Sequence, residues 1–283
     1  MYHGLTHEAI YAAVHTEAVF VGPYGEAKSG FGTSFALNNH GTLILVTNKH
    51  VVDLTFGPNG AKYVGYKLLH LVCQTRSRNV DGSPGDVKRF IVPMDHNTLL
   101  FDSNQRNDVA VIFDAQTGNL DKADDKQWDF CFDYSDVASE EELVKDLQPF
   151  DLLAFPGYPT GHDPRGLRAI IRSGTIASDP RFDYSYDLED RGDILLYDGF
   201  SFGGSSGSPV IAVAKVPPAN VAPNPNLRFR RMMIVGVNAG HITAQQGQHA
   251  GLSYFVRSSV IRRIIDNHIN SVSLNAADKA KLA

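Results

Sequence analysis

The sequence predicts an all-β fold of two strand-rich halves with a C-terminal helix. Three observations predict it. Short apolar, β-branched runs alternate with Gly, Asn and Pro turns along most of the chain. An acidic stretch divides these runs into two sets, and one segment near the end has helical spacing. At 283 residues, 43% hydrophobic and 20% charged, the chain can bury a sizeable core.

In the first half, Gly32–Leu37, Thr42–Val46, Tyr63–Cys73 and Val109–Phe113 read as strands. Asp121 to Asp146 then holds ten of the 31 acidic residues and only three lysines. This stretch reads as a solvated crossing on the surface, with Ser139-Glu140-Glu141-Glu142 as a helix start. The sharper alternative is a docking surface for a basic, regulatory protein partner. The second half begins near Leu152, with strands at Ala169–Ser173, Asp193–Tyr197, Pro209–Val213, Met232–Asn238 and Leu252–Val256. Four prolines within Val216–Arg231 exclude a regular central strand, so this segment reads as an extended hairpin loop. Arg228, Arg230 and Arg231 cluster at its end, with a partner contact as the alternative reading. The run VIRRIIDNHI alternates Ile with Arg and Asp at helical spacing and predicts an amphipathic terminal helix.

Composition excludes several classes. A net charge of −5 argues against a general nucleic-acid role, which favours a basic face. No stretch approaches the roughly eighteen uninterrupted apolar residues of a membrane span. The first twenty residues lack a basic region followed by an apolar core, so no secretory signal is expected. His96 and Gly161-His162-Asp163 are isolated, no His/Cys spacing forms a metal set, and no phosphate loop occurs, so neither metal nor cofactor is expected. Of the two cysteines, Cys73 reads as a buried small hydrophobe and Cys131 lies in an acidic aromatic stretch. Their spacing leaves a bridge between them open. Stability resting mainly on the core fits a reducing, cytoplasmic setting.

The chemistry concentrates at Gly203–Val210, GGSSGSPV, which sets Ser206 in a Gly-x-Ser-Gly-x-Pro turn. A serine hydroxyl needs a base to take its proton and N–H donors to meet the developing oxyanion. The N–H groups of Gly204 and Ser206 are the candidate donors. His50 follows the strand-like run Thr42–Val46, and Asp108 heads the run Val109–Phe113. The order His, Asp, Ser is the opposite of the serine-first hydrolase order. In such a set His50 is the base and Asp108 orients its ring.

These motifs, with Gly30–Phe35, Leu152–Pro159, Val235–Asn238 and Gly251–Val256, resemble the trypsin-like serine peptidases of the chymotrypsin superfamily. The resemblance is nearest to the HtrA/Deg peptidase domain, without its PDZ module, and covers roughly residues 15–265. It implies a chymotrypsin-like double β-barrel: an N-terminal barrel over 1–120, an acidic linker over 121–148, a C-terminal barrel over 149–257 and a helical tail over 258–283. It also implies a serine endopeptidase acting on protein or peptide substrates through His50, Asp108 and Ser206. Ser205 stands where secreted relatives carry the aspartate that pairs with a newly cut N-terminus, so activation by N-terminal cleavage is not expected. Ser208 replaces a usual glycine. The resemblance places the substrate pocket at Phe200, Asn238, Ala239, Gly240 and Ser253, an apolar floor suited to small or medium apolar residues, with His241 nearby to modulate it. The alternatives are a catalytically silent peptidase-fold binding or scaffold module, and a viral-type processing peptidase, against which the starting Met1 suggests a free gene product. No visible feature encodes an oligomeric state.

Overall fold

Nine strands among the described residues form the first sheet: β1 (Ala13–Val21), β2 (Ala27–Asn39), β3 (Thr42–Thr47), β4 (Lys67–Arg78), β5 (Pro84–Pro93), β6 (Leu99–Phe101), β7 (Ala110–Phe113), β8 (Gly118–Asn119) and β9 (Phe132–Asp133). Their order is β6-β7-β3-β2-β1-β4-β5-β8, an open path, with β9 parallel to β2. The second set is β10 (Leu152–Gly157), β11 (Ile170–Ile176), β12 (Ile194–Asp198), β13 (Pro209–Ala212), β14 (Met233–Thr243) and β15 (His249–Arg257), closed as β10-β11-β12-β15-β14-β13. Four α-helices accompany them among the described residues: α1 (His7–Tyr11), α2 (Lys49–Val52), α3 (Glu140–Asp146) and α4 (Ser258–Lys281). This computed structural model describes residues 4–57, 59–122, 125–160, 163, 165–187, 189–215, 229–244 and 247–281.

The period-two geometry of strands distributes the apolar side chains among three cores. In β7, Ala110 and Ile112 point into the first sheet with Phe20, Leu71 and Phe90, while Val111, and Val109 just before the strand, join the other core. The second barrel repeats this division. Leu195, Val210, Val235 and Phe255 fill its interior, whereas Ile194, Ile211, Ile234 and Val256 face outward. These outward faces meet Phe35, Ile44 and Val46 of the first sheet and Val260, Ile261, Ile264 and Ile265 of α4 in one shared core. The Ile spacing read from the sequence is therefore the buried stripe of α4.

The acidic crossing is stitched to both halves. Phe132 pairs with Leu37 of β2, and Val137 bridges Ile234 of β14. Ser139 caps α3 as a capping box: its hydroxyl accepts from Glu142 N at 3.2 Å, and Glu142 accepts from Ser139 N at 2.8 Å. The acids there engage the chain's own cations, with Asp125 and Asp129 on Lys88 and Glu142 on Arg231. Both cysteines are free, and burial pushes each thiol up to about 12.

Some elements differ from expectation. The run Tyr63–Cys73 opens as a short 3₁₀ turn, Gly60–Tyr63, and extends only from Lys67. β1 and β5 were not expected; β1 is the centre of its sheet and begins with four buried residues. In the loop expected over Val216–Arg231, residues 216–228, Arg228 among them, lie outside the described residues. At its base Lys215 and Arg230 pair, while buried Arg230 donates to the carbonyls of Ala212 and Val213. No described helix is long and apolar enough to cross a membrane.

Candidate active site

β3 ends at Thr47 and turns directly into α2, which lifts His50 to the seam between the halves. Asp108 holds it there through both carboxylate oxygens. Oδ1 accepts the His50 backbone N–H at 2.9 Å, and Oδ2 lies 2.5 Å from ring Nδ1. Asn48 Nδ2 donates to the Asp108 carbonyl at 2.6 Å, tying the two segments at a further point. With Nδ1–H committed to Asp108, Nε2 remains an acceptor. Burial pushes the His50 ring down, but the Asp108 charge and hydrogen bond outweigh it, so the ring titrates above the ordinary imidazole value.

Ser206 occupies a turn shaped by two glycines in the left-handed region, Gly204 at φ +87° and Gly207 at φ +85°. A Cβ on Gly207 would lie 1.9 Å from the Thr33 carbonyl oxygen, and one on Gly204 2.5 Å from that of Tyr158. The turn's N–H groups divide in an informative way. Ser205 N donates to Phe202 O, Gly207 N to Asn238 O and Ser208 N to Ser205 O. Among the described residues, the N–H groups of Gly204 and Ser206 find no acceptor. No hydrogen bond joins the Ser206 hydroxyl to His50 among those residues.

Thr33 of β2 anchors this turn across the seam. Its N–H donates to Ser206 O at 2.8 Å and its hydroxyl to Gly204 O at 2.9 Å. The hydroxyl also accepts from Tyr158 N at 3.0 Å, and the Thr33 carbonyl accepts from the Thr47 hydroxyl at 2.8 Å. One residue thus links the Ser206 turn to the strand end that precedes His50. Beside Asp108, Asn107 donates to Asp102 at 2.6 Å and accepts from Asp193 N at 2.8 Å. Arg263 of α4 pairs with Asp102 at 2.6 Å and with Asp193 at 2.7 Å.

The residues expected to form the substrate pocket have different surroundings. Phe200 is 49% exposed and stacks near Phe202. Asn238 is buried, donating to Ser201 Oγ at 2.8 Å and Ser205 O at 2.9 Å while accepting from Tyr197 OH at 2.7 Å. Ser253 is buried and bonded to Gly199 O, and Ala239 packs into the shared core. A Cβ on Gly240 would lie 2.6 Å from the Tyr254 hydroxyl oxygen. Sequence reasoning missed Thr33, Asn107, Arg263, Arg172 and His249. Their roles come mostly from partners distant in sequence, such as Gly204 for Thr33, Asp193 for Asn107 and Asp102 for Arg263, and no local spacing signals that.

An open strand-rich half, a closed six-stranded barrel and a C-terminal helix packed on their seam give the architecture of a chymotrypsin-like double β-barrel. No family model and no curated protein matches the chain. Among solved structures it is similar to that of an HtrA-type protease, AlgW with a decapeptide, at 15% identity and a TM-score of 0.49. That alignment covers 92% of this chain and 66% of the other.

Proposed function

We propose that the chain is a serine endopeptidase in which Ser206 is the nucleophile, His50 the general base and acid, and Asp108 the group that orients His50. The observation that carries this reading is the two-oxygen grip of Asp108 on His50, which leaves Nε2 free to accept a proton. As Ser206 Oγ attacks the peptide carbonyl carbon, its proton passes to His50 Nε2. The carbonyl oxygen becomes an oxyanion and takes the two uncommitted N–H groups of Gly204 and Ser206. The C–N bond then breaks, and His50 returns the proton to the leaving amine. Water, deprotonated by the same ring, hydrolyses the acyl-Ser206 ester and restores the hydroxyl. Bonds between nucleophile and base are often long without substrate and tighten once it binds.

A second reading, a silent binding module on the same fold, draws on the missing Ser206–His50 hydrogen bond. A fluorophosphonate probe decides between them. The hydrolase reading expects covalent labelling of the wild type and none of Ser206→Ala, detected by intact mass. An unlabelled wild type would leave only the binding module. The two free cysteines support a reducing, cytoplasmic location.

A further inference from the structure

Beside the Ser206 turn, three basic side chains converge with no ion-pair partner among the described residues. Arg172 of β11 donates from Nε to the Phe200 carbonyl at 2.9 Å, and its guanidinium carbon lies 4.4 Å from the centre of the Phe202 ring. His249 of β15 lies 4.6 Å from the Phe200 ring. His241 of β14 stacks on His249 at 4.4 Å, with the ring planes 17° apart. Among the described residues none of the three forms an ion pair, and Asp198, exposed on β12, makes none with them. Burial first, then the nearby His241 and Arg172, holds His249 below the ordinary imidazole value. Such a cluster gains on taking up an anion, because the anion relieves repulsion among its members.

The cluster is tied to the Ser206 turn by hydrogen bonds. His249 Nδ1 accepts from Gly251 N at 2.8 Å, and its Nε2 lies 3.4 Å from Ser201 N and 3.2 Å from Ser253 Oγ. Ser253 Oγ accepts from Ser201 N at 3.1 Å, and Asn238 joins Ser201 Oγ to the Ser205 carbonyl. A chain of hydrogen bonds therefore runs from His249 to the residue preceding Ser206. The aromatic pair Phe200 and Phe202 lies on the segment that leads into the same turn, giving a surface for a side-chain stem.

We infer that Arg172, His241 and His249 form a carboxylate-binding subsite that selects peptides with Glu or Asp immediately before the cut bond. This replaces the apolar preference expected from sequence, and it rests on the peptidase reading above.

The test compares fluorogenic peptides that differ only in Glu, Gln or Leu at that position. The wild type should favour Glu over Gln by at least about tenfold in kcat/KM, the scale of a charge-assisted hydrogen bond. Arg172→Gln and His249→Asn should each lower that ratio, which is normalised within each variant and so is unaffected by partial misfolding. The charged and titratable groups on the strands around His249 are Arg172, Tyr197, Asp198 and His241. Because a bound carboxylate favours protonated His249, the Glu preference should also grow as the pH falls from about 8 to about 6. In parallel, C-terminally amidated Glu and Gln peptides are titrated against Ser206→Ala. A labelled, active enzyme with no preference for Glu over Gln overturns the subsite and leaves the hydrolase standing. An unlabelled enzyme overturns the hydrolase, and the binding comparison still decides the subsite: tighter Glu binding supports it, and equal affinities refute it.

Discussion

At the scale of single residues, Asp108 divides its two oxygens between the His50 backbone and the His50 ring. On the proposed peptidase mechanism, Asp108→Asn offers an amide where the ring proton needs an acceptor, so turnover should fall by about 10⁴-fold in steady-state assays. The pH profile carries a second signature. His50 is held above its ordinary value in the wild type and must be neutral to accept a proton, so the acid limb of kcat/KM should lie above pH 6.5. In Asp108→Asn that limb should move down, because the charge that raised it is gone. Thr33 makes a different prediction. Thr33→Val keeps the shape but strands the Gly204 carbonyl and the Tyr158 N–H, each at a cost of about 1–3 kcal/mol. Urea melts should record the loss, and on the peptidase reading kcat should drop more than KM rises, since the turn bearing the proposed oxyanion donors loses its anchor.

At the scale of elements, α4 reaches the surroundings of Asp108 through Arg263. Arg263 pairs with Asp102, whose side chain is 1% exposed, and also with Asp193, while Asn107 sits between them next to Asp108. Arg263→Met leaves the buried Asp102 without a cation. Arg263 itself is 38% exposed, so the expected cost is about 2–3 kcal/mol, below that of a fully buried pair. Burial pushes Asp102 up, but Arg263 and Asn107 outweigh it and hold the carboxyl below its ordinary value. Its contribution is therefore complete above the unfolded value, near pH 4, and is lost as acid titrates through the lower folded one. Urea midpoints measured down to about pH 3 should fall steeply for the wild type and more gently for Arg263→Met. The Ile stripe made α4 legible in the sequence, as the capping box did for α3, because each signal lies within a few residues. β1 was not legible: its AVHTEAVFV mixes His and Glu with apolar residues, and only pairing with β2 and β4 establishes it as central. The three residues of the proposed triad were readable from local motifs. The Arg172, His241 and His249 cluster was not, since it assembles from three strands.

At the scale of the whole molecule, one apolar core is shared by both halves and α4. Neither half keeps its buried outer face if the other opens, so the two should unfold together. Trp128 stacks on Phe90 in the first half at 4.8 Å and is the chain's one tryptophan, so it reports that half alone. Its fluorescence and far-ultraviolet dichroism should trace superimposable guanidinium transitions, and separate midpoints would refute a common unit. The Arg263 clamp has one more consequence, for biosynthesis. Translation delivers the segment bearing this guanidinium after the fifteen described strands, so a nascent polypeptide carries Ser206 and His50 well before the carboxylates beside Asp108 are secured. On the peptidase reading, the growing chain is spared its own cutting edge until α4 has emerged and docked.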